Sequence, residues 1–207
     1  PGAPADRRWT AHRTLLLNDQ QRSFVALMPR KPGHGELSCI EGCDGVVGLR
    51  LKGVGPAGEH LEAHPPLLVR VKGRSRWGAY AYQPVLARQG RRLTREHQLP
   101  LALMALLLEQ HQQCAVPDML VLGWDGRGLV RDRVGFSKGL RRQLADALRK
   151  LSTDLAREQP PALAADRRKC SLCSWRDACD AVAAAEGHLS EVSGIGGKRR
   201  EILLELG

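Results

Sequence analysis

Residues 93–112 carry Leu99, Leu101, Leu103, Met104, Leu106, Leu107 and Leu108 on nearly every side of a helical wheel, so the segment predicts a helix buried over most of its surface. Pro100 falls in its first turns or kinks it. The segments on either side read as strands. Residues 46–52, 67–72 and 79–87 are short, rich in Val, Leu or Tyr and bounded by Gly or Pro, and 73–78 between the last two reads as a hairpin loop. Beyond the helix, 119–124 and 128–134 flank Trp124-Asp125-Gly126-Arg127-Gly128, a hairpin signal. Leu140, Leu144, Leu148, Leu151 and Leu155 mark 137–157 as an amphipathic helix packed on the sheet. Upstream, 9–28 has helical spacing, 29–35 breaks it, and 37–44 allows a short helix with Cys39 and Cys43 on one face. The expected fold is α+β, a central mixed sheet flanked by helices. Residues 1–8 read as a disordered leader or severed linker, since the sequence opens at Pro1 rather than Met.

Cys170, Cys173 and Cys179 stand at spacing C-x2-C-x5-C. Two thiolates three residues apart face one metal centre from a single turn, and a third returns to it from a helix start. Either an iron-sulfur cluster or a zinc ion is implied. Cys39, Cys43 and Cys114 are the remaining thiols, and His188 is a further zinc donor. No signal peptide opens the chain, so a reducing cytoplasm is the expected setting, where metal binding outranks disulfides.

The chain holds 32 basic and 22 acidic residues, a formal net charge of +10. That excess favours a polyanionic partner, DNA or RNA, over a membrane, because no basic amphipathic anchor or lipidation signal accompanies it. Near the end, Gly194-Ile195-Gly196-Gly197-Lys198-Arg199 sits between two helical stretches and resembles a helix-hairpin-helix. Its glycines permit left-handed backbone and close approach, and the amides opening the second helix point at a phosphate, with Lys198 and Arg199 adding charge.

The stretch from Pro65-Pro66 through Val71-Lys72-Gly73-Arg74-Ser75-Arg76-Trp77 to Val85-Leu86-Ala87-Arg88, with Glu96-His97-Gln98 after it, resembles the core of RecB-like nucleases of the PD-(D/E)XK superfamily. The resemblance is to the branch in which a C-terminal cysteine triplet leads into a helix-hairpin-helix, and it covers about 41–207. It implies a nuclease core at 36–165 after a partial helical region at 1–35, a cysteine module at 166–187 and a hairpin at 188–207. It also implies a four-cysteine cluster of the 4Fe-4S type, whose last three ligands are Cys170, Cys173 and Cys179. The first ligand then lies before Pro1 or is replaced by Cys39 or Cys43. An RNase H-like exonuclease domain, fused or separate, is an implied partner.

The family's chemistry is metal-assisted phosphodiester hydrolysis: a carboxylate at the end of one strand and an Asp/Glu-x-Lys on the next hold Mg2+. Here the first carboxylate position is Pro66, the second Leu86, and the lysine position Arg88, while the glutamine motif survives as Gln98. No Asp or Glu occurs between Ala63 and Arg95, whereas eight Lys or Arg do. A hard divalent cation is not held by apolar and cationic side chains, so magnesium is not expected at this locus.

The expectation is a catalytically degenerate DNA-binding domain acting in DNA repair or processing, with contacts from Arg74, Arg76 and Trp77 and from the 194–199 hairpin. Trp77 stacks on a base or plugs its loop. The rivals are an active Mg2+-dependent nuclease using displaced carboxylates Glu41, Asp44 or Glu62, and a structural fragment with a zinc site and no DNA affinity. His60 and His64, beside Glu59 and Glu62, are the remaining candidates for a migrated metal site. Metal analysis of an anaerobic preparation should find iron and sulfide with a brown absorption; stoichiometric zinc in a colourless protein would reverse the cluster assignment and leave the fold untouched.

Overall fold

The computed structural model describes residues 7–88, 93–156, 163, 176–188 and 197–206. The chain divides into two compact units, Thr14–Ala156 and a second made of Pro1–Arg13 with Arg157–Gly207. In chain order the elements are α1 (Arg7–Val25), β1 (Gly33–His34), α2 (Gly35–Ile40), β2 (Gly45–Val47), β3 (Leu51–Val54), β4 (His60–Ala63), β5 (Leu67–Ser75), β6 (Gly78–Ala87), α3 (Arg95–Gln112), β7 (Asp118–Trp124), β8 (Leu129–Gly135), α4 (Lys138–Leu155), α5 (Arg176–Glu186) and α6 (Gly197–Leu206). The fold is mixed α+β, with a six-stranded sheet ordered β1-β2-β5-β6-β7-β8 and a separate β3-β4 hairpin. Among the described residues no helix is long and apolar enough to cross a membrane.

β1 lies parallel to β2; β2, β5 and β6 run antiparallel to one another in turn, α3 then carries the chain across to β7, parallel to β6, and β8 returns antiparallel as the far edge. Period-two alternation on β5 to β8 gives the sheet two faces. One buries Leu68, Tyr82, Met119, Val121 and Val134 with Leu101, Ala105 and Leu108 of α3 and Leu140, Leu144 and Leu148 of α4. The other packs Leu67, Val85, Leu120 and Leu122 against Phe24 of α1. The three buried leucines of α4 recur every fourth residue, and Ser137 caps the helix by accepting from Leu140 N at 3.2 Å.

Several sequence expectations need correction. The strand expected at 46–52 is two strands in two sheets, because Gly48 turns the chain at φ +69° and a Cβ there would stand 2.1 Å from His34 Nε2. β4 alternates polar and apolar residues over only four positions, and β1 is two residues long, so neither was expected as a strand. The loop expected at 73–78 is only a two-residue turn at Arg76 and Trp77, since β5 continues to Ser75 and β6 begins at Gly78. Pro100 does fall in the early turns of its helix, as the sixth residue of α3.

The last turn of α3 holds both sheets by side chains that act as strand partners. Gln112, fully buried, accepts from Tyr82 N at 2.9 Å and donates to Tyr82 O at 3.2 Å. Gln110 does the same for Val54, accepting at 3.1 Å and donating at 2.8 Å, while His111 Nε2 lies 3.1 Å from Lys52 N and 2.9 Å from Lys52 O. Gln112→Ala leaves a donor and an acceptor of Tyr82 buried without partners, at about 1–3 kcal/mol each. Urea unfolding should show a loss of about 2–4 kcal/mol, against less than about 1 kcal/mol for Gln113→Ala on the exposed residue that follows.

Candidate functional site

β5 and β6 bring together Pro66 and Leu86, the residues that the resemblance aligns with the metal-binding carboxylates. Leu67 pairs with Val85 in the antiparallel register, so Pro66 and Leu86 are the next residues outward on adjacent strands. Gln21 of α1 donates to Pro66 O at 2.9 Å, and Leu86 packs against the core. Neither position offers an oxygen side chain. Arg88, at the lysine position, is 4% exposed, and its Nε and Nη2 donate to Asp132 Oδ2 at 3.1 and 3.0 Å. Its backbone N–H donates to Leu122 O at 2.7 Å. To reach β8 its guanidinium passes over β7 at Gly123, where a Cβ would come within 2.6 Å of Arg88 Cζ. Gln98 stands half-buried in the first turn of α3.

The carboxylates that could substitute are held elsewhere. Asp44 accepts from Arg70 at 2.6 Å and faces Arg30 at 3.6 Å. Glu62 takes both Arg50 nitrogens, at 2.6 and 2.7 Å, and His64 at 2.7 Å. The hydrogen bonds from Arg50 and then His64 hold its carboxyl down to about 2, from an ordinary 4.5. Glu41 is exposed at the C-cap of α2, and His60 is exposed on β4. Among the described residues no three His, Cys, Asp or Glu side chains converge as a metal site would require.

The basic hairpin is less free than its composition suggests. Arg76 is ion-paired with Glu36, lies over the Trp77 ring at 5.3 Å, and donates its backbone N–H to Gln112 O at 2.9 Å. Trp77 packs on the core edge-on to Tyr82, ring centroids 5.8 Å apart, with its indole nitrogen buried. It is a loop-closing plug, and not a free stacking face. Arg74 is exposed.

Of the cysteines, Cys170 and Cys173 lie outside the described residues, as do Gly194, Ile195 and Gly196. Cys39, Cys43, Cys114 and Cys179 are free thiols. Cys39 is fully buried, and desolvation, then Glu36 and Cys43, push its thiol up to about 12. A ligand must be a thiolate, so Cys39 fits a metal poorly. Its helix turn packs it on the core, where Tyr80 Oη donates to Cys39 O at 2.9 Å and Tyr82 Oη to Cys43 O at 2.8 Å. Burial also raises Cys114. Cys179 is half-buried in the first turn of α5. That helix ends at Gly187, φ +62°, with His188 N donating to Ala183 O at 2.9 Å. Gly197 opens α6, on which Lys198 and Arg199 are exposed.

Asp132, Gly123 and Gln21 were not legible as site residues. Asp132 sits in Arg131-Asp132-Arg133, which reads as a solvated edge, and its partner lies 44 residues away. The chain matches no family model, and no curated protein matches it.

Asp132→Asn removes the carboxylate facing a buried guanidinium. A fully buried pair would lose about 3–5 kcal/mol, and the one-third exposure of Asp132 discounts this to about 2 kcal/mol by urea unfolding. Glu62 contributes stability above its ordinary value and loses it as pH falls from about 4.5 to about 2. Carboxyl NMR should place its midpoint near the lower end, rising toward the upper in Arg50→Gln.

Proposed function

We infer that this chain is a RecB-like nuclease-fold domain of the PD-(D/E)XK type that binds DNA and has lost hydrolysis. The observation that carries this is the adjacency of Pro66, just before β5, and Leu86 on β6, with Arg88 beyond them. The family's chemistry needs two carboxylates and a lysine on neighbouring strands, and the register puts the corresponding positions side by side. In this chain they offer an imide ring, an aliphatic side chain and a guanidinium already paired with Asp132. Such a donor set holds no magnesium and leaves no free base for water.

The displaced-carboxylate alternative is weaker, because Asp44 and Glu62 are both bound by arginines. A metal would have to displace those partners before it gained a ligand. Cys170, Cys173 and Cys179 are the proposed ligands of a 4Fe-4S cluster, which when bound cross-links the tail and supplies structure. Cys179 suits this role by being only half-buried and by its place in a helix first turn. Lys198 and Arg199 add cationic contacts for a phosphate backbone.

Plasmid and single-strand substrates with Mg2+ or Mn2+ should remain uncut, while binding to short DNA weakens as salt rises. Cleavage that disappears in a Glu41→Gln/Asp44→Asn/Glu62→Gln variant would refute the loss of catalysis.

A further inference from the structure

β8 (Leu129–Gly135) ends the six-stranded sheet, and among the described residues no strand lies along its outer side. All seven of its residues pair with β7 in unbroken register, without bulge or proline. In an antiparallel edge strand every second residue turns its N–H and C=O outward, so the free side is a regular row of donors and acceptors. Apart from the β7 ladder, the backbone of residues 130–134 makes no described hydrogen bond. The other edges of the unit are short, interrupted or filled. β1 has two residues and β4 four. The part of β5 beyond β2 carries a register shift between Lys72 and Ser75, and the side of β6 that β7 leaves bare is closed by Gln112.

The side chains along β8 are sorted by face. Arg131 and Arg133 stand opposite Leu122 and Leu120 of β7, on the face that carries Phe24, and both are exposed. Arg131 lies 5.0 Å over the Phe24 ring, which holds its guanidinium beside the strand. On the opposite face Val130 and Val134 flank Asp132, whose carboxylate is already taken by Arg88. The open ladder running between the two arginines, more than their charge, marks the place. Pairing β8 antiparallel to its own copy, in the registers that overlap most of the strand, sets an arginine opposite an arginine of the copy. Like charges directly opposite are destabilising, whereas opposite charges there stabilise. The pattern disfavours a second copy and selects a strand of the other sign.

We propose that β8 accepts an extended acidic segment of a partner protein as a further strand. Carboxylates at alternate positions face Arg131 and Arg133, the residue between them is small and uncharged opposite Asp132, and apolar residues cover Val130 and Val134. Main-chain hydrogen bonds supply the attachment and the alternating side chains supply the choice of partner. The site is independent of the DNA-binding reading.

The probe is a fluorescein-labelled peptide containing Val-Glu-Thr-Glu-Val, whose symmetric order suits either strand direction. Anisotropy on the full chain should show saturable binding. Val-Gln-Thr-Gln-Val should bind about tenfold more weakly, and Arg131→Gln/Arg133→Gln should weaken the acidic peptide by the same factor, since each change removes two cross-strand charge pairs. Successive N–H groups of a strand point to opposite sides, so N-methylation of the central Thr and the Glu after it blocks at least one that faces β8. At unchanged charge it should weaken binding at least about tenfold. Amide resonances of residues 130–134 should shift on binding. Should the double variant unfold, the two altered peptides carry the test without any change to the protein. Equal binding of the N-methylated peptide, or no saturable binding at millimolar peptide, overturns strand addition. Displacement of the peptide by oligodeoxythymidine, with the same loss in Arg131→Gln/Arg133→Gln, gives the edge to nucleic acid and overturns the acidic segment. A concentration-dependent dimer that shifts the amides of 130–134 overturns it in favour of a second copy.

Discussion

The side-chain amide of Gln112 closes the backbone of Tyr82 in both directions, and the sheet that carries Pro66, Leu86 and Arg88 at its strands depends on it. β6 pairs with β7 only from Val85 to Ala87, because β7 does not begin until Asp118. Earlier along β6 the edge away from β5 would be left with bare amides beneath α3, at the cost that buried unpaired groups carry. Gln112 fills that gap as a one-residue surrogate strand. Its own carbonyl accepts from Arg76 N, so one residue anchors both the middle of β6 and the turn that precedes it. Gln110 and His111 extend the device to Val54 and Lys52, tying the β3-β4 hairpin to the same end of α3.

That scaffold decides which cations are available. A net charge of +10 would by itself suggest a uniformly basic surface. Within the unit, however, Arg50, Arg70, Arg76 and Arg141 are drawn onto Glu62, Asp44, Glu36 and Glu109, and Arg141 also lies 3.7 Å over the Phe136 ring. Exposed pairs of this kind add little stability. Their larger effect is to cancel charge locally, so that the excess is carried by the cations outside these pairs.

Much of this architecture was legible where one local rule dominated. α3, α4 and the β5-β6 and β7-β8 pairs announce themselves through apolar spacing, the Ser137 cap and the Gly-bounded turns. The β3-β4 hairpin did not, because the split at Gly48 is a backbone conformation forced by contact with His34, and β4 reads His-Leu-Glu-Ala with no β-branched residue. The same divide runs through the site. Missing carboxylates between Ala63 and Arg95 can be read from one stretch of sequence, whereas the partners of Arg76 and Arg88 lie 40 and 44 residues away and emerge only from packing. Trp77 shows the limit most directly: an aromatic among arginines resembles a stacking platform until the ring of Tyr82 is found beneath it.

The pairing of Arg88 follows from charge balance. A lysine in the family's motif shares its surroundings with two carboxylates and a metal ion, so its charge is compensated where it stands. A guanidinium that is 4% exposed needs a counter-charge, since an uncompensated buried ion costs several kcal/mol. Asp132 supplies the missing negative charge from β8, and Gly123 leaves the guanidinium a path across β7 to reach it. The longer, always-charged fork of arginine is what makes that reach effective, since two of its nitrogens converge on one carboxylate oxygen. Arg88 and Asp132 thus form one electrostatic unit, and carboxylates introduced at 66 and 86 would still leave Arg88 committed to Asp132.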